Sequence, residues 1–232
     1  MKEQLFKEYD KVFKKYENAK FGDILKERGY VFQYDEDETN SDLLFIGINP
    51  SYTEKHEKNE HYRGTYDRND NRSYFKPFSE INREINNAEV GYNGIYTHID
   101  LLVFRETNQK QVNELMRTEE GCGFLIEQLE IAKNRLIHIS PKVVIVSNAK
   151  AAELMGKNRF FNDKTGEELG IWMGLDFVFD EEFGAHKVTN VPELENSYFL
   201  FTSMLSGQRA LDLGSKERLI WQIKRIFKNA YK

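Results

Sequence analysis

The sequence predicts an α/β fold: a three-layer α/β/α arrangement around a central, mainly parallel four-stranded sheet, with a small antiparallel insertion. Three observations predict it. Residues 43 to 46 form a continuous apolar run closed by Gly47, the pattern of a strand buried on both faces. Residues 142 to 148 hold the clearest strand, apolar and β-branched, after an amphipathic stretch stopped by Pro141 and before an alanine-rich segment. Helix, proline, buried strand and helix in that order make a parallel crossover. Residues 198 to 202 form the last apolar run, which leads into a Ser-Gly loop and a final helix.

The chain has 232 residues and no low-complexity linker, so one domain over 1–232 is expected. Hydrophobic residues make up 40% and charged residues 31%, which suits a globular chain with a very polar surface. The formal net charge of -5 excludes a protein that is basic throughout, although a local basic patch could still meet nucleic acid. Cys122 is the single cysteine, which excludes an internal disulfide framework and a multi-cysteine zinc site and fits a reducing cytoplasm. The first residues, Met1-Lys2-Glu3-Gln4-Leu5-Phe6, have no signal-peptide core. No apolar run reaches membrane-spanning length, so no membrane partner is expected.

Residues 1 to 30 read as helix, with Leu5, Tyr9, Phe13 and Tyr16 forming one stripe. The acidic run from Asp35 to Glu38 reads as solvated loop before the first strand. Residues 52 to 71 are polar and read as an exposed loop able to cover a site. His56 and His61 are five apart, a spacing that does not stack them on one helix face, so no metal pair is expected. Tyr74, Phe75 and Phe78 follow closely; such aromatics are core or a stacking wall for a planar ligand.

Residues 94 to 103 read as the second buried strand. His98 and Asp100 share a face there because strand side chains alternate. His98 alone reads as a hydrogen-bonded core histidine. Asp100 beside it tips the pair toward function, because a buried acid needs a partner. Residues 122 to 139 read as an amphipathic helix carrying Leu125, Leu129, Ala132 and Leu136 on one face. Residues 160 to 192 read as an antiparallel insertion at the sheet edge, with strand candidates at 171–173, 177–179 and 187–189. Ser215 is the expected cap of the last helix.

In open parallel sheets ligands bind beyond the carboxyl ends of the strands. Asn49, Pro50, Ser51 and Tyr52 follow the first central strand. Pro50 fixes its own φ and keeps Asn49 out of the helical region, which stiffens the turn. No glycine-rich phosphate loop of the Walker or dinucleotide type is present. No cluster calls for a metal or another cofactor. Nothing names an obligate protein partner, and a monomer is expected.

Three segments together resemble the uracil-DNA glycosylase superfamily. Gly47-Ile48-Asn49-Pro50-Ser51 is similar to the first motif of the mismatch-specific uracil/thymine branch, Gly-Ile-Asn-Pro-Gly, with Ser51 in place of the last glycine. Residues 140 to 146 and the alanine-rich helix after them resemble that family's third strand and helix. Met204-Leu205-Ser206-Gly207 stands at the second motif, usually His-Pro-Ser or Asn-Pro-Ser-Gly, and lacks its His and Pro. The resemblance implies a base-excision enzyme that hydrolyses the N-glycosidic bond of uracil or a mismatched or damaged base in DNA. It gives Asn49 the hydrolytic water and places His98 near a base-reading strand end. It gives Tyr74 or Phe75 the stacking role. Gly47, Ile48, Pro50, Ser51, Tyr52 and Asp100 would complete the substrate pocket, and Ser203, Ser206, Gly207 and Arg209 would contact DNA. The alternative is a catalytically weak or inactive protein of that fold that binds nucleic acid or a nucleotide.

Overall fold

The computed structural model describes residues 1–232 except 37, 53–62, 67–71, 108, 158–164, 166–171, 208–209 and 232, and except the side chains at 63, 66 and 72. His56, His61, Arg209 and position 171 therefore lie outside the described residues.

The amino-terminal helix expected over residues 1 to 30 is two helices. Helix α1 (Lys2–Tyr16) buries Leu5, Tyr9, Val12 and Phe13, and α2 (Gly22–Arg28) follows a short turn. Strand β1 (Tyr30–Gln33) comes next, wholly buried, and was not expected. It pairs in parallel with β3 (Arg63–Tyr66), inside the segment read as loop. The acidic run after β1 is not all solvated. Glu38 is buried and paired with Arg135 at 2.6 Å, and Asp35 accepts hydrogen bonds from Gln33 and Thr97.

Strand β2 (Leu43–Gly47) is buried at every position. It lies between β4 (Tyr96–Asp100) and β5 (Val143–Val146), and β5 lies beside β8 (Tyr198–Phe201); all three pairings are parallel. The expected four parallel strands are present, but the sheet has six strands in the order β4-β2-β5-β8-β7-β6. The insertion forms an antiparallel hairpin of β6 (Phe177–Asp180) and β7 (Ala185–Val188), and β7 pairs with β8. The hairpin covers an edge that β8 would otherwise leave open. The strand expected at 171–173 is absent at its described residues: Met173 instead donates its N–H to Leu154.

Helices sandwich the sheet. On one face, α3 (Arg72–Asn86) and α7 (Leu213–Ala230) pack Phe78, Ile81, Ile223 and Phe227 against Leu43, Phe45, Val143 and Ile145. On the other, α1, α5 (Glu119–Ile139) and α6 (Ala149–Met155) pack against Leu44, Ile46, Val144 and Val146. The short α4 (Lys110–Leu115) leads into α5. Thr118 caps α5 by accepting from the Gly121 N–H, and Ser140, at φ 47°, ends it before Pro141. Asn148 caps α6. Asp212 caps α7 and accepts the Ser215 N–H at 3.0 Å, so Ser215 is the residue capped and not the cap. Among the described residues no helix is long and apolar enough to cross a membrane.

Candidate functional site

Because β4, β2, β5 and β8 are parallel, their carboxyl ends share one edge of the sheet. After β2 the chain forms β3 beside β1 and only then α3, whereas β5 leads straight into α6. In open parallel sheets this edge is where ligands bind.

The 47–52 segment is held rigidly there. Pairing with the segment after β4 continues past the strand ends, through Leu102 N–H to Ile48 O at 2.9 Å and Glu106 N–H to Pro50 O at 2.9 Å. The Asn49 amide donates through Nδ2 to Glu106 O at 2.6 Å and to Pro50 O at 3.0 Å. Both donors are thus committed to backbone, which leaves Oδ1 as the end able to accept from a ligand or water. Ile48 and Pro50 are buried in packing, while Ser51 is exposed. Tyr52 is buried too: its ring lies 4.9 Å from the Arg28 guanidinium and 5.3 Å from that of Arg105, and its hydroxyl reaches Glu27 at 3.1 Å. Arg28 also pairs with Glu106 at 2.8 Å. These contacts tie Tyr52 to α2 and to the loop after β4. Local sequence gave no sign of this cluster, because its residues come from α2, the turn after β2 and the loop after β4.

His98 and Asp100 do share a face, with Nε2 and Oδ1 3.9 Å apart. His98 is fully buried and enclosed by the edges of Tyr74, Phe75 and Phe78, at ring separations of 6.1, 5.1 and 5.7 Å. Burial, with the Arg135 charge as a second cause, pushes its pKa down to about 3, so the imidazole is neutral near pH 7. Asp100 ends β4 opposite Gly47 of β2. A Cβ on Gly47 would come within 2.3 Å of Asp100 Oδ1 and 3.1 Å of His98 Nε2, so glycine is what lets the pair sit against β2.

Phe75 is packed in the core, whereas Tyr74 is only partly covered. Burial, with the Asp100 charge next, raises the Tyr74 pKa well above its ordinary value, so the phenol stays protonated. Of the two stacking candidates, Tyr74 is the less buried.

The loop after β8 lies on the same edge. Thr202 N–H donates to Val146 O at 2.9 Å, Ser203 and Gly207 are exposed, and Ser206 is half-buried. Leu205 is buried in the core beneath the loop. Only β5 separates β8 from β2, so the strand ends carrying Asn49 and the Ser203 loop lie roughly 10 Å apart, two strand spacings.

A cavity of about 630 Å³ opens on the far flank of β8. Lys157, His186, Phe201, Thr202, Ser203 and Arg218 contribute to its lining. Of the expected site residues that are described, Ser203 alone is among them. Sequence reading missed it because its residues come from separate elements and form no motif.

Among the described residues no group of three or more His, Cys, Asp or Glu could hold a metal ion. Comparison with protein-family models, curated proteins and solved structures finds no match.

Proposed function

We propose that this chain is a uracil-DNA-glycosylase-like protein that hydrolyses the N-glycosidic bond of uracil or a mismatched or damaged base in DNA. The observation that carries the reading is the placement of Asn49 just past the end of β2 and of Asp100 at the end of its parallel neighbour β4, with Tyr74, beside His98, only partly covered. An extruded base stacks on the Tyr74 ring, as enzymes acting on a base inside a duplex require. Asn49 Oδ1 accepts a hydrogen bond from the hydrolytic water and holds it against the sugar C1′. The water oxygen bonds to C1′ as the bond to the base nitrogen breaks, the base leaves with the bonding pair, and the water's proton passes to solvent or to Asp100. Ser203, Ser206 and Gly207 lie on the same edge, where they would meet the DNA backbone. The reading gives Phe75 and His98 a supporting role behind Tyr74.

The second reading, binding without turnover, is favoured by a specific feature. Both Asn49 amide hydrogens are engaged, and the nearby histidine is neutral and enclosed. A single-turnover assay on duplexes with uracil opposite guanine, uracil opposite adenine or no uracil tests both readings, with binding followed by fluorescence anisotropy. Alkali-sensitive cleavage that depends on uracil supports the enzyme. Binding with no cleavage supports the binding protein, and neither binding nor cleavage ends both.

A further inference from the structure

The geometry points to a second ligand site in the cavity flanking β8, built for a phosphate monoester with a compact apolar body, the size of a nucleoside monophosphate. None of its described lining residues belongs to β2, β4 or α3, and Ser203 is the residue it shares with the proposed DNA-facing edge.

Its volume of about 630 Å³ lies within the range of roughly 300–1,000 Å³ typical of small-molecule pockets. Two cations reach it from opposite sides. Lys157 follows Gly156, which closes α6 in a left-handed conformation, and its backbone N–H is fixed to Ala152 O at 3.0 Å. Arg218 stands on the first turns of α7. Neither side chain makes an ion pair with a described residue, and no acidic side chain is among the described residues lining the cavity.

Two other basic residues of α7 are paired away from the cavity. Lys216 pairs with Glu80 at 2.9 Å and Lys224 with Glu84 at 3.1 Å, both on α3. In a chain of net charge -5, two cations facing one cavity without an ion-pair partner among the described residues favour an anion of more than single charge. A phosphate monoester carries roughly -1.5 to -2 at neutral pH, whereas each phosphodiester carries a single charge.

The remaining walls fit the rest of such a ligand. The Phe201 ring lies 5.8 Å from Lys157 Nζ and 5.2 Å from the His186 ring, and Leu211 and Leu219 add apolar surface. Burial and the Lys157 charge lower the His186 pKa, so that imidazole adds no charge near neutral pH. Thr202 and Ser203 bring hydroxyls to the cavity. The Ser215 hydroxyl is already engaged, donating to Asp212 at 2.7 Å.

Calorimetric titration of the full chain with deoxyuridine 5′-monophosphate, deoxyuridine, inorganic phosphate and an oligothymidylate lacking terminal phosphates tests the site. The expected result is saturable binding of the monophosphate, with deoxyuridine and inorganic phosphate each at least about tenfold weaker. Lys157→Ala and Arg218→Gln should each weaken the monophosphate about tenfold, and Lys216→Ala should leave it unchanged. Amide shifts of Thr202 and Ser203 in the unsubstituted protein give a reading independent of any variant. No monophosphate binding, equal binding of deoxyuridine, no effect of Lys157→Ala and Arg218→Gln, no shift at Thr202 and Ser203, or tighter binding of the oligothymidylate would each overturn the proposal.

Discussion

His98 Nε2 stands 3.9 Å from Asp100 Oδ1, and both atoms press on the place where Gly47 has no side chain. Strand register causes this, since Gly47 is the partner of Asp100 and Phe45 the partner of His98. The first residue of the Gly-Ile-Asn-Pro-Ser segment thus serves packing between strands before it serves any ligand.

Gly47→Ala should therefore destabilise the fold by about 1–3 kcal/mol, the usual cost of forcing atoms into a filled core. The short Asp100 side chain has little room to swing away. Gly47→Ala combined with Asp100→Ala should recover most of the loss, because the closest clash is with Oδ1. Urea unfolding of the two single variants and the double variant measures the coupling. Additive losses would show that the contact is not what excludes a side chain at position 47.

His98 makes stability depend on pH. Its pKa falls from 6.5 to about 3 on folding, so between those values the unfolded chain binds the proton and the folded one does not. Stability from the neutral imidazole is complete above about pH 6.5, declines as the pH falls, and is fully lost below about pH 3. The slope inside this window approaches 1.4 kcal/mol per pH unit. His98→Leu should flatten the unfolding free energy between pH 6 and 4, whatever its effect at pH 7. An unchanged slope in that variant would assign the acid sensitivity to other groups.

The buried pair of Glu38 and Arg135 links the segment after β1 to α5, with both side chains about 2% exposed. Arg135 also donates to Gln33 O at 2.6 Å. Arg135→Met should cost about 3–5 kcal/mol, because it leaves a carboxylate buried without its cation. Glu38→Leu with Arg135→Met should be far closer to the unsubstituted protein, since neither charge then remains. Chemical denaturation of these variants checks both expectations.

The four parallel strands were legible because each is an apolar run bounded by polar or turn-forming residues, and such runs depend on local sequence alone. The docking of the hairpin on β8 was not, because a short strand's pattern does not name its partner. Strand β1 was hidden by its four-residue length at the end of a helical stretch. Glu38 looked like a solvated charge because its partner lies 97 residues away. At the candidate site, the shared facing of His98 and Asp100 followed from strand periodicity. The depth of His98 did not, because three aromatics of α3 set it. The contacts of Tyr52 were hidden for the same reason: the guanidinium groups that cover it come from α2 and the loop after β4.

Asn49 separates the enzyme reading from a purely structural role. Its amide makes two hydrogen bonds to backbone carbonyls, so Asn49→Ala should lower stability by about 1–2 kcal/mol. At this chain length that is a fall in Tm of roughly 2–4 °C for each kcal/mol. Lost turnover in Asn49→Ala alone would be ambiguous, since a loosened turn also misplaces the site. Asn49→Asp resolves this. A carboxylate keeps an oxygen for the water and adds the ability to take its proton, which an amide lacks at neutral pH. It also sets negative oxygens against the carbonyls of Pro50 and Glu106, so its stability should fall further than that of Asn49→Ala. If Asn49 acts on the water through Oδ1, Asn49→Asp retains uracil-dependent cleavage despite its lower Tm, while Asn49→Ala loses it. If the residue only staples the turn, activity follows stability and Asn49→Asp is the worse of the two. Single-turnover rates measured well below each variant's Tm distinguish the two orders.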